Sequence, residues 1–433
     1  MKPYARALLA ASTPFLIATP IAAQTPAAPA RVVTLEEAVA LALRHDPAAV
    51  AAETGIQNAR AGVLQARGTL LPSLSANGIW ANSSNERFDQ TTGRLVSESY
   101  TGQLQASYEL FAGGRRFLEN RAAGADLDAA DARYRSQRFA TELVATETLY
   151  AAAAAADLVA VAEQRLERAR QQREFAETRL ELGTATTSDA LRAEIEASNA
   201  ELALDEARVA HRAAALDLGR ITGIGGEVHA APEALPEAAP ALPAPDRLVA
   251  LATRSSPTVL AAEAVETAAA ADRLAAMTAY VPSLRLSGGY DWFSFQFPPD
   301  QESWSMRVTA SLPLFNGFAR EAALQRAGAA RDLARAQARD ARLAARAAVE
   351  AAANEIQLAE RRVTISSRTV ELAREDLRVQ EERYRIGAAT ILDLQASQVA
   401  LAEAEVALVR AKQSLGGAVA RLEAILGESI DEL

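Results

Sequence analysis

The sequence of 433 residues contains no cysteine. This absence excludes disulfide bonds, thiolate-bound metal sites and a lipid anchor on an N-terminal cysteine. Aromatic residues are scarce as well, at 5% of the chain, although 50% of the residues are hydrophobic. Much of that apolar content is alanine, which favours helices and contributes little core volume. The composition therefore predicts long helices that approach one another closely rather than a thick globular core.

Positive charge is also limited, because 45 basic residues face 55 acidic ones and the net charge is −10. Such a balance argues against nucleic acid as a partner. The sequence shows no HExxH motif, no phosphate-binding loop and no nucleophile elbow. The three histidines, His45, His211 and His229, lie far apart along the chain. We therefore expect neither an enzyme nor a protein that binds a cofactor or metal.

Residues 1–23 have the pattern of a secretory signal peptide. Lys2 and Arg6 give a positive start, residues 7–21 are apolar, and the segment ends in a plausible cleavage site of small residues. The alternative is a disordered tail rich in alanine and proline. No later unbroken apolar run is long enough to cross a bilayer as a helix.

The rest of the chain contains an internal duplication. Four pairs of residues recur in the same order: Pro47 with Pro257, Pro72 with Pro282, Gly113 with Gly317, and Gly183 with Gly387. The first two pairs lie 210 positions apart and the last two lie 204 apart. The offset changes between 82–99 and 294–302, which we interpret as a loop that is shorter in the second copy. The pattern predicts a first repeat at 24–229, a proline-rich linker at 230–245 and a second repeat at 246–433.

Each repeat predicts a helix, two strands, a very long helix and a returning helix. The first helix begins with a capping-box pattern at Thr34 and runs toward Arg67. Proline-free helical patterns then extend from about 116 to Leu182 and from about 320 to Ile386. At ~1.5 Å per residue, each of these helices would be roughly 100 Å long. A glycine suited to a helix end follows each one, and a helix of about 30–35 residues returns.

The strand segments, at about 73–83, 100–111, 283–295 and 303–315, alternate apolar with polar side chains. Aromatic residues lie near both ends of the apolar faces: Trp80, Tyr100, Trp292 and Trp304 near the loops, and Tyr108, Phe111 and Phe315 near the helices. Such girdles are typical of strands that face lipid, although a soluble sandwich with one buried face is the alternative. Four strands cannot close a barrel, and lipid does not tolerate open edges. Three copies would give twelve strands and an aqueous lumen.

The long helix of the second repeat carries two apolar stripes with seven-residue spacing. One stripe contains Val349, Ile356, Val363, Val370, Leu377 and Tyr384, and the other contains Leu358, Ile365, Leu372, Val379 and Ile386. In the first repeat, the returning helix carries the stripe Ile195, Leu202, Val209 and Leu216. The two stripes of one helix face nearly opposite directions, which indicates a neighbour on each side. A helical cylinder fits this pattern, and a coiled-coil bundle without a lumen is the alternative.

The segments that follow the long helices, RLELGTATTSD at 179–189 and RYRIGAATILDL at 383–394, resemble each other. They also resemble the two periplasmic helix-tip turns of the TolC-like outer-membrane efflux protein family. With the duplication, the strand pairs and the linker, the resemblance covers the whole mature chain. It implies a mainly α protein with a membrane β-barrel: a homotrimer with a 12-stranded barrel, four strands per chain, in the outer-membrane lipid. A long α-helical barrel continues into the periplasm.

The resemblance further implies a passive exit duct in a tripartite efflux or type I secretion system. A periplasmic adaptor and an inner-membrane RND or ABC transporter would be its partners. A periplasmic coiled-coil scaffold without a pore is the rival function, and recovery in the soluble periplasm would distinguish it.

By the same resemblance, Asp189 and Tyr384 take positions that hold the periplasmic aperture closed, and Asp393 takes a position in an acidic ring there. Four residues of the tip turns are expected to dock the adaptor: Gly183, Thr184, Gly387 and Ala388. The chain departs from the best-known member at Ala389, which replaces a basic residue, and at Ala396, which replaces a second acid. Asp189 and Asp393 also suit N-terminal caps of the returning helices, and one residue can serve both roles.

Overall fold

A computed structural model describes residues 31–89, 93–232 and 234–430, so the predicted signal peptide at 1–23 lies outside the described residues. The first repeat contains β1 (Arg31–Val33), α1 (Leu35–His45), α2 (Pro47–Gly68), β2 (Ser73–Asp89), β3 (Arg94–Phe111), α3 (Arg115–Glu181), α4 (Thr187–Thr222) and β4 (Val228–Ala230). The second repeat contains α5 (Pro245–Ser255), α6 (Pro257–Met277), β5 (Ser283–Ser294), β6 (Gln301–Ser311), α7 (Ala319–Arg385) and α8 (Ile391–Leu426). A short 3-10 turn, Thr278–Tyr280, joins α6 to β5.

The first helix of each repeat is divided in two, which corrects the continuous helix predicted there. Asp46 separates α1 from α2, and Ser256 separates α5 from α6. Both residues precede a proline and have ψ angles of 122° and 128°. Proline has no N–H to donate, and it disfavours the helical conformation in the residue before it. Pro47 and Pro257 therefore each begin a new helix.

The long helices α3 and α7 contain 67 residues each, and their bounds differ by one residue from the predicted ones. The returning helices α4 and α8 contain 36 residues each. Contrary to expectation, α3 includes a stretch that is long and apolar enough to cross a membrane as a helix, by length and composition alone. Alanine accounts for much of this apolarity. Ala153 and Ala154 pack against Leu235 of the linker and Val409 of α8.

Four helices lie side by side in the order α4–α3–α8–α7. The first predicted stripe of α7, from Val349 to Tyr384, is buried along its whole length against α8. From α8, Leu394, Leu401, Leu415 and Leu422 fill the same seam. The helices α1 and α2 pack on α3, α5 packs on α7, and α6 packs on both long helices. Among these four helices, α4 and α7 therefore form the two ends of the layer.

Four strands form an antiparallel sheet in the order β2–β3–β5–β6, and the short strands β1 and β4 pair in parallel in a second, two-stranded sheet. Both strands of the first hairpin are longer than predicted, because β2 continues to Asp89 and β3 begins at Arg94. Most of the predicted loop at 82–99 therefore lies within the two strands, whose pairing is irregular between Asn82 and Arg87. In contrast, β6 ends at Ser311 rather than at 315. Pro313 follows it closely and cannot donate to a ladder of hydrogen bonds.

Candidate functional site

The apolar positions of the four strands lie on one face of the sheet, because the register pairs even-numbered residues with one another. Across one row, Ala76 pairs with Leu104, Leu104 with Tyr290, and Tyr290 with Trp304. The adjacent row on the other face contains Asn77, Gln103, Asp291 and Ser303. One face of the sheet is thus suited to lipid and the other to water.

The loop-proximal aromatic residues lie close together on the apolar face. Trp80 pairs directly with Tyr100, and the rings of Tyr290 and Trp292 are 4.7 Å apart between their centres. Trp292 also covers Gly102, where an added Cβ would lie 3.4 Å from the indole Cε3 atom. This group and Trp304 form one end of the apolar band.

The helix-proximal aromatic residues are displaced along the strands. The eight-residue separation of Tyr100 from Tyr108 corresponds to about 26 Å at ~3.3 Å per residue, close to the ~25 Å apolar band of outer-membrane barrels. A bulge between Glu109 and Phe111 brings Phe111 opposite Leu284, on the apolar face, although Phe111 is odd-numbered. Phe315 lies just beyond β6, is exposed, and contacts Phe318 with ring centres 5.3 Å apart.

Both the sheet and the helical layer end in open edges. In the sheet, β2 and β6 each have one neighbouring strand. In the helical layer, the stripe of α4 from Ile195 to Leu216 is exposed, and so is the second stripe of α7 from Leu358 to Ile386. The relative exposure of these nine side chains lies between 39% and 71% except at Ile386, where it is 75%. Exposed apolar rows of this length indicate surfaces that another chain covers.

The two helix tips have the same backbone geometry. Gly183 and Gly387 adopt φ angles of 69° and 79°, the left-handed conformation that ends a helix. The N–H of Thr184 donates to the carbonyl of Arg179 at 2.8 Å, and the N–H of Ala388 donates to that of Arg383 at 2.7 Å. The turn residues Gly183, Thr184, Gly387 and Ala388 are all exposed.

Both predicted caps form reciprocal capping boxes. The carboxylate of Asp189 accepts from the N–H and the hydroxyl of Thr186, at 3.0 and 2.8 Å, and the N–H of Asp189 donates to the same hydroxyl. Asp393 makes the equivalent bonds with Thr390. In each case the backbone hydrogen bond from the threonine is the main reason that the aspartate pKa lies below its ordinary value. Both carboxylates therefore begin the returning helices as charged groups.

Tyr384 lies in the interior of the tip, with 6% of its surface exposed. Its ring centre is 5.9 Å from that of Phe175, and the guanidinium of Arg179 lies 5.2 Å from it. Burial raises the Tyr384 pKa, and the nearby charge of Asp189 acts in the same direction. The structure thus places Tyr384 against Phe175 and Arg179 of the first repeat, while Asp189 and Asp393 lie in the first turns of the two returning helices. The tip segment recognised in the sequence begins at Arg179, but the sequence indicated neither the contact of Arg179 with Tyr384 nor the part of Phe175.

Residues 38–224 and 248–428 match the family described as outer membrane efflux protein. Protein CyaE of Bordetella pertussis is 30% identical over 309 residues, which are 68% of this chain and 63% of CyaE. The match thus spans less than two thirds of the length of that relative.

Several solved structures share the fold. The outer membrane protein VceC of Vibrio cholerae matches with a TM-score of 0.74 and 21% identity, covering 92% of this chain and 96% of VceC. The CmeC outer membrane channel of Campylobacter jejuni matches with a TM-score of 0.76 and 16% identity, covering 92% and 88%. These likenesses confirm the predicted fold class, mainly α with a membrane β-barrel, and the family match confirms the predicted location in the outer membrane. The chain belongs to the outer membrane efflux protein family.

Proposed function

We propose that three copies of this chain form a passive channel through which an efflux or type I secretion system exports its substrates. The channel performs no catalysis. The observation that carries the proposal is the presence of two pairs of open edges, one in the helical layer and one in the sheet, on the same chain.

The helical edges have matching spacing. Leu202 lies 15 residues after the first residue of α4, and Leu372 lies 13 residues before the last residue of α7, so both are nearly level above the tips. Because α4 and α7 run in opposite directions, pairing these two residues in neighbouring copies aligns the rest of both stripes. The remaining pairs are Ile195 with Val379, Val209 with Ile365, and Leu216 with Leu358. An antiparallel seam of this kind closes the helical layer into a ring.

The same rotation between copies places β6 of one sheet beside β2 of the next. Each sheet contributes four strands, so three copies close a barrel of twelve and no strand edge faces lipid. A barrel of eight, from two copies, would be filled by its own side chains. The polar face with Asn77, Gln103 and Asp291 would line the lumen.

The tips are the proposed docking points for a periplasmic adaptor, which connects the channel to an inner-membrane RND or ABC transporter. Beside each turn glycine an apolar side chain projects outward: Leu182 is 72% exposed and Ile386 is 75% exposed. The duplication places both at the same point of their hairpins. Exposed apolar residues next to well-defined turns suit contacts with a helical partner.

The proposed seam can be tested by cross-linking, because the chain has no cysteine of its own. The double variant Leu202→Cys, Leu372→Cys should form disulfide-linked dimers and trimers under oxidising conditions, and a reductant should reverse them. Neither single variant should form a disulfide-linked trimer. A control pair, Leu202→Cys with Leu377→Cys, uses a buried residue of the other α7 stripe and should give no cross-link.

Failure of the first pair to cross-link between chains would contradict this assembly. Planar-bilayer recording of the purified protein then distinguishes the channel from a scaffold without a pore. The channel predicts stepwise ionic conductance, and the scaffold predicts none.

A further inference from the structure

Two of the three histidines meet in the folded chain, although 18 positions separate them in the sequence. His211 lies in α4, and His229 lies in the short strand β4 that pairs with β1. Nδ1 of His229 is 3.3 Å from Nε2 of His211, and the ring centres are 5.0 Å apart. This contact connects α4 to the two-stranded sheet of β1 and β4. The roles proposed for the helix tips and the barrel do not explain it.

The nitrogen–nitrogen distance suits a shared metal ion. Zinc binds imidazole nitrogens at ~2.0–2.1 Å with tetrahedral angles, which separates two such nitrogens by about 3.3–3.4 Å. The two nitrogens that face each other here are at that separation, and small rotations of the two rings would direct both lone pairs at one ion beside the line that joins them. A metal ion would take the place of the proton that the two rings otherwise share.

We propose that His211 and His229 bind one divalent transition-metal ion of the zinc type, with water molecules completing its coordination. The protein supplies two ligands, since the described residues contain no group of three or more His, Cys, Asp and Glu that would hold an ion. Glu227 lies two positions before His229, and its carboxylate is engaged by Arg212 at 2.7 Å.

Only a neutral imidazole has a lone pair for a metal ion, and an imidazole of ordinary pKa, ~6.5, is mostly neutral at pH 7.5. Both rings remain partly exposed, so an ion can reach them.

The position of the pair is also compatible with assembly. Val209, in the exposed stripe of α4, lies two residues from His211. Residues two apart on a helix point in directions about 200° apart. A neighbouring copy that covers Val209 would therefore leave His211 open. The metal site stands on its own geometry and does not depend on the proposed seam.

Zinc binding can be measured by titrating the purified full-length protein with zinc chloride at pH 7.5 in detergent. We expect one saturable zinc ion per chain. His211→Gln and His229→Gln should each weaken binding by roughly 10–100-fold or more, since even loss of an outer-shell partner has an effect of that size. His45→Gln is the matched control, because His45 is the third histidine of the chain and contacts Gly223 instead. It should bind zinc like the unaltered protein.

A second measurement needs no variant. Zinc should protect His211 and His229, but not His45, from carbethoxylation by diethyl pyrocarbonate, as located by mass spectrometry. Unsaturable zinc uptake, or equal reactivity of all three histidines with and without zinc, would overturn the proposal. Equal binding by the unaltered protein and by both folded variants would also overturn it.

Discussion

Arg179 connects the two helix tips of one chain, because its Nη1 atom donates a hydrogen bond to the main-chain carbonyl of Tyr384 at 3.0 Å. The same guanidinium lies 5.2 Å from the ring centre of Tyr384 and 5.7 Å from that of Phe175. These contacts link the end of α3 to the end of α7. They therefore oppose separation of the two hairpins, which opening of the proposed aperture would require.

We expect Arg179→Gln to loosen the tip and to raise the single-channel conductance in planar bilayers. A hydrogen bond from a charged donor contributes about 1.5–3 kcal/mol, and a cation–π contact adds about 0.5–1 kcal/mol at an exposed site. The matched control is Arg383→Gln, at the equivalent position of the second repeat, where the guanidinium donates to the Ala388 carbonyl of its own turn at 3.2 Å. An equal rise in both variants would show that the effect is not specific to the Tyr384 contact.

The apolar face of the sheet predicts a strong effect of Leu104→Arg. Leu104 pairs with Ala76 on one side and Tyr290 on the other, in the middle of the apolar band. An arginine at the bilayer midplane costs about 2–4 kcal/mol per subunit. We expect a marked fall in the yield of trimers extracted from outer membranes.

Gln103→Arg is the control for this substitution, since Gln103 is the neighbouring residue on the polar face. It should assemble normally. If Gln103→Arg blocks assembly and Leu104→Arg does not, the sheet faces lipid with its other side.

At Asp393, the negative charge of the side chain and its role as a helix cap can be tested separately. In Asp393→Asn, the side-chain carbonyl can still accept from the Thr390 N–H, so the helix start should be retained. The negative charge is lost, and three such charges would no longer attract cations to the aperture. We expect lower cation selectivity, measured as the reversal potential in a salt gradient. Unchanged selectivity would leave Asp393 as a cap alone.

The pH dependence provides a second test of the same residue. The Thr390 hydrogen bonds hold the Asp393 pKa below its ordinary value, so the charge is present above that lowered pKa and is lost as pH falls through it. The selectivity that depends on Asp393 should therefore persist at about pH 4, near the ordinary aspartate pKa of ~3.9. Loss of selectivity already at pH 5 would indicate that mutual repulsion in the ring outweighs the capping bonds.

Local signals in the sequence account for the features that were predicted well. The bounds of α3 and α7 were predictable because no proline interrupts either helix and because Gly183 and Gly387 mark the ends of the helical patterns. The division of the first helix is also encoded locally, at Pro47 and Pro257, because the residue before a proline disfavours the helical conformation. Helix bounds therefore depend on which local signal dominates.

Features that depend on residues far apart in the chain could not be predicted from local signals. The bulge that turns Phe111 onto the apolar face exists because of its pairing with Leu284 in another strand. The contact between Arg179 and Tyr384 joins residues of different repeats. Strict alternation and helical periodicity describe one segment at a time, so neither pattern contains these contacts.

Two adjacent glycines of α8 allow the packing of the helical layer to be tested at one point. A Cβ atom added at Gly416 would lie 2.5 Å from Cε2 and 2.7 Å from Cδ2 of Tyr150 in α3. The ring would have to move out of the α3–α8 interface, and overpacking of this kind costs about 1–3 kcal/mol. We therefore expect Gly416→Ala to lower the thermal unfolding midpoint, measured from the helical circular dichroism of the protein in detergent.

Gly417→Ala provides the comparison, since the nearest atom to an added Cβ there is Glu147 Oε1 at 4.0 Å. Alanine is favoured over glycine inside a helix by about 0.8–1.0 kcal/mol, so this variant should unfold at the same temperature or higher. Adding Tyr150→Leu to Gly416→Ala should recover part of the lost stability, because a side chain without a ring leaves space for the methyl group. If both glycine variants unfold at the same temperature, Tyr150 does not pack against Gly416 in the assembled protein. The helices α3 and α8 would then lie further apart in the helical layer.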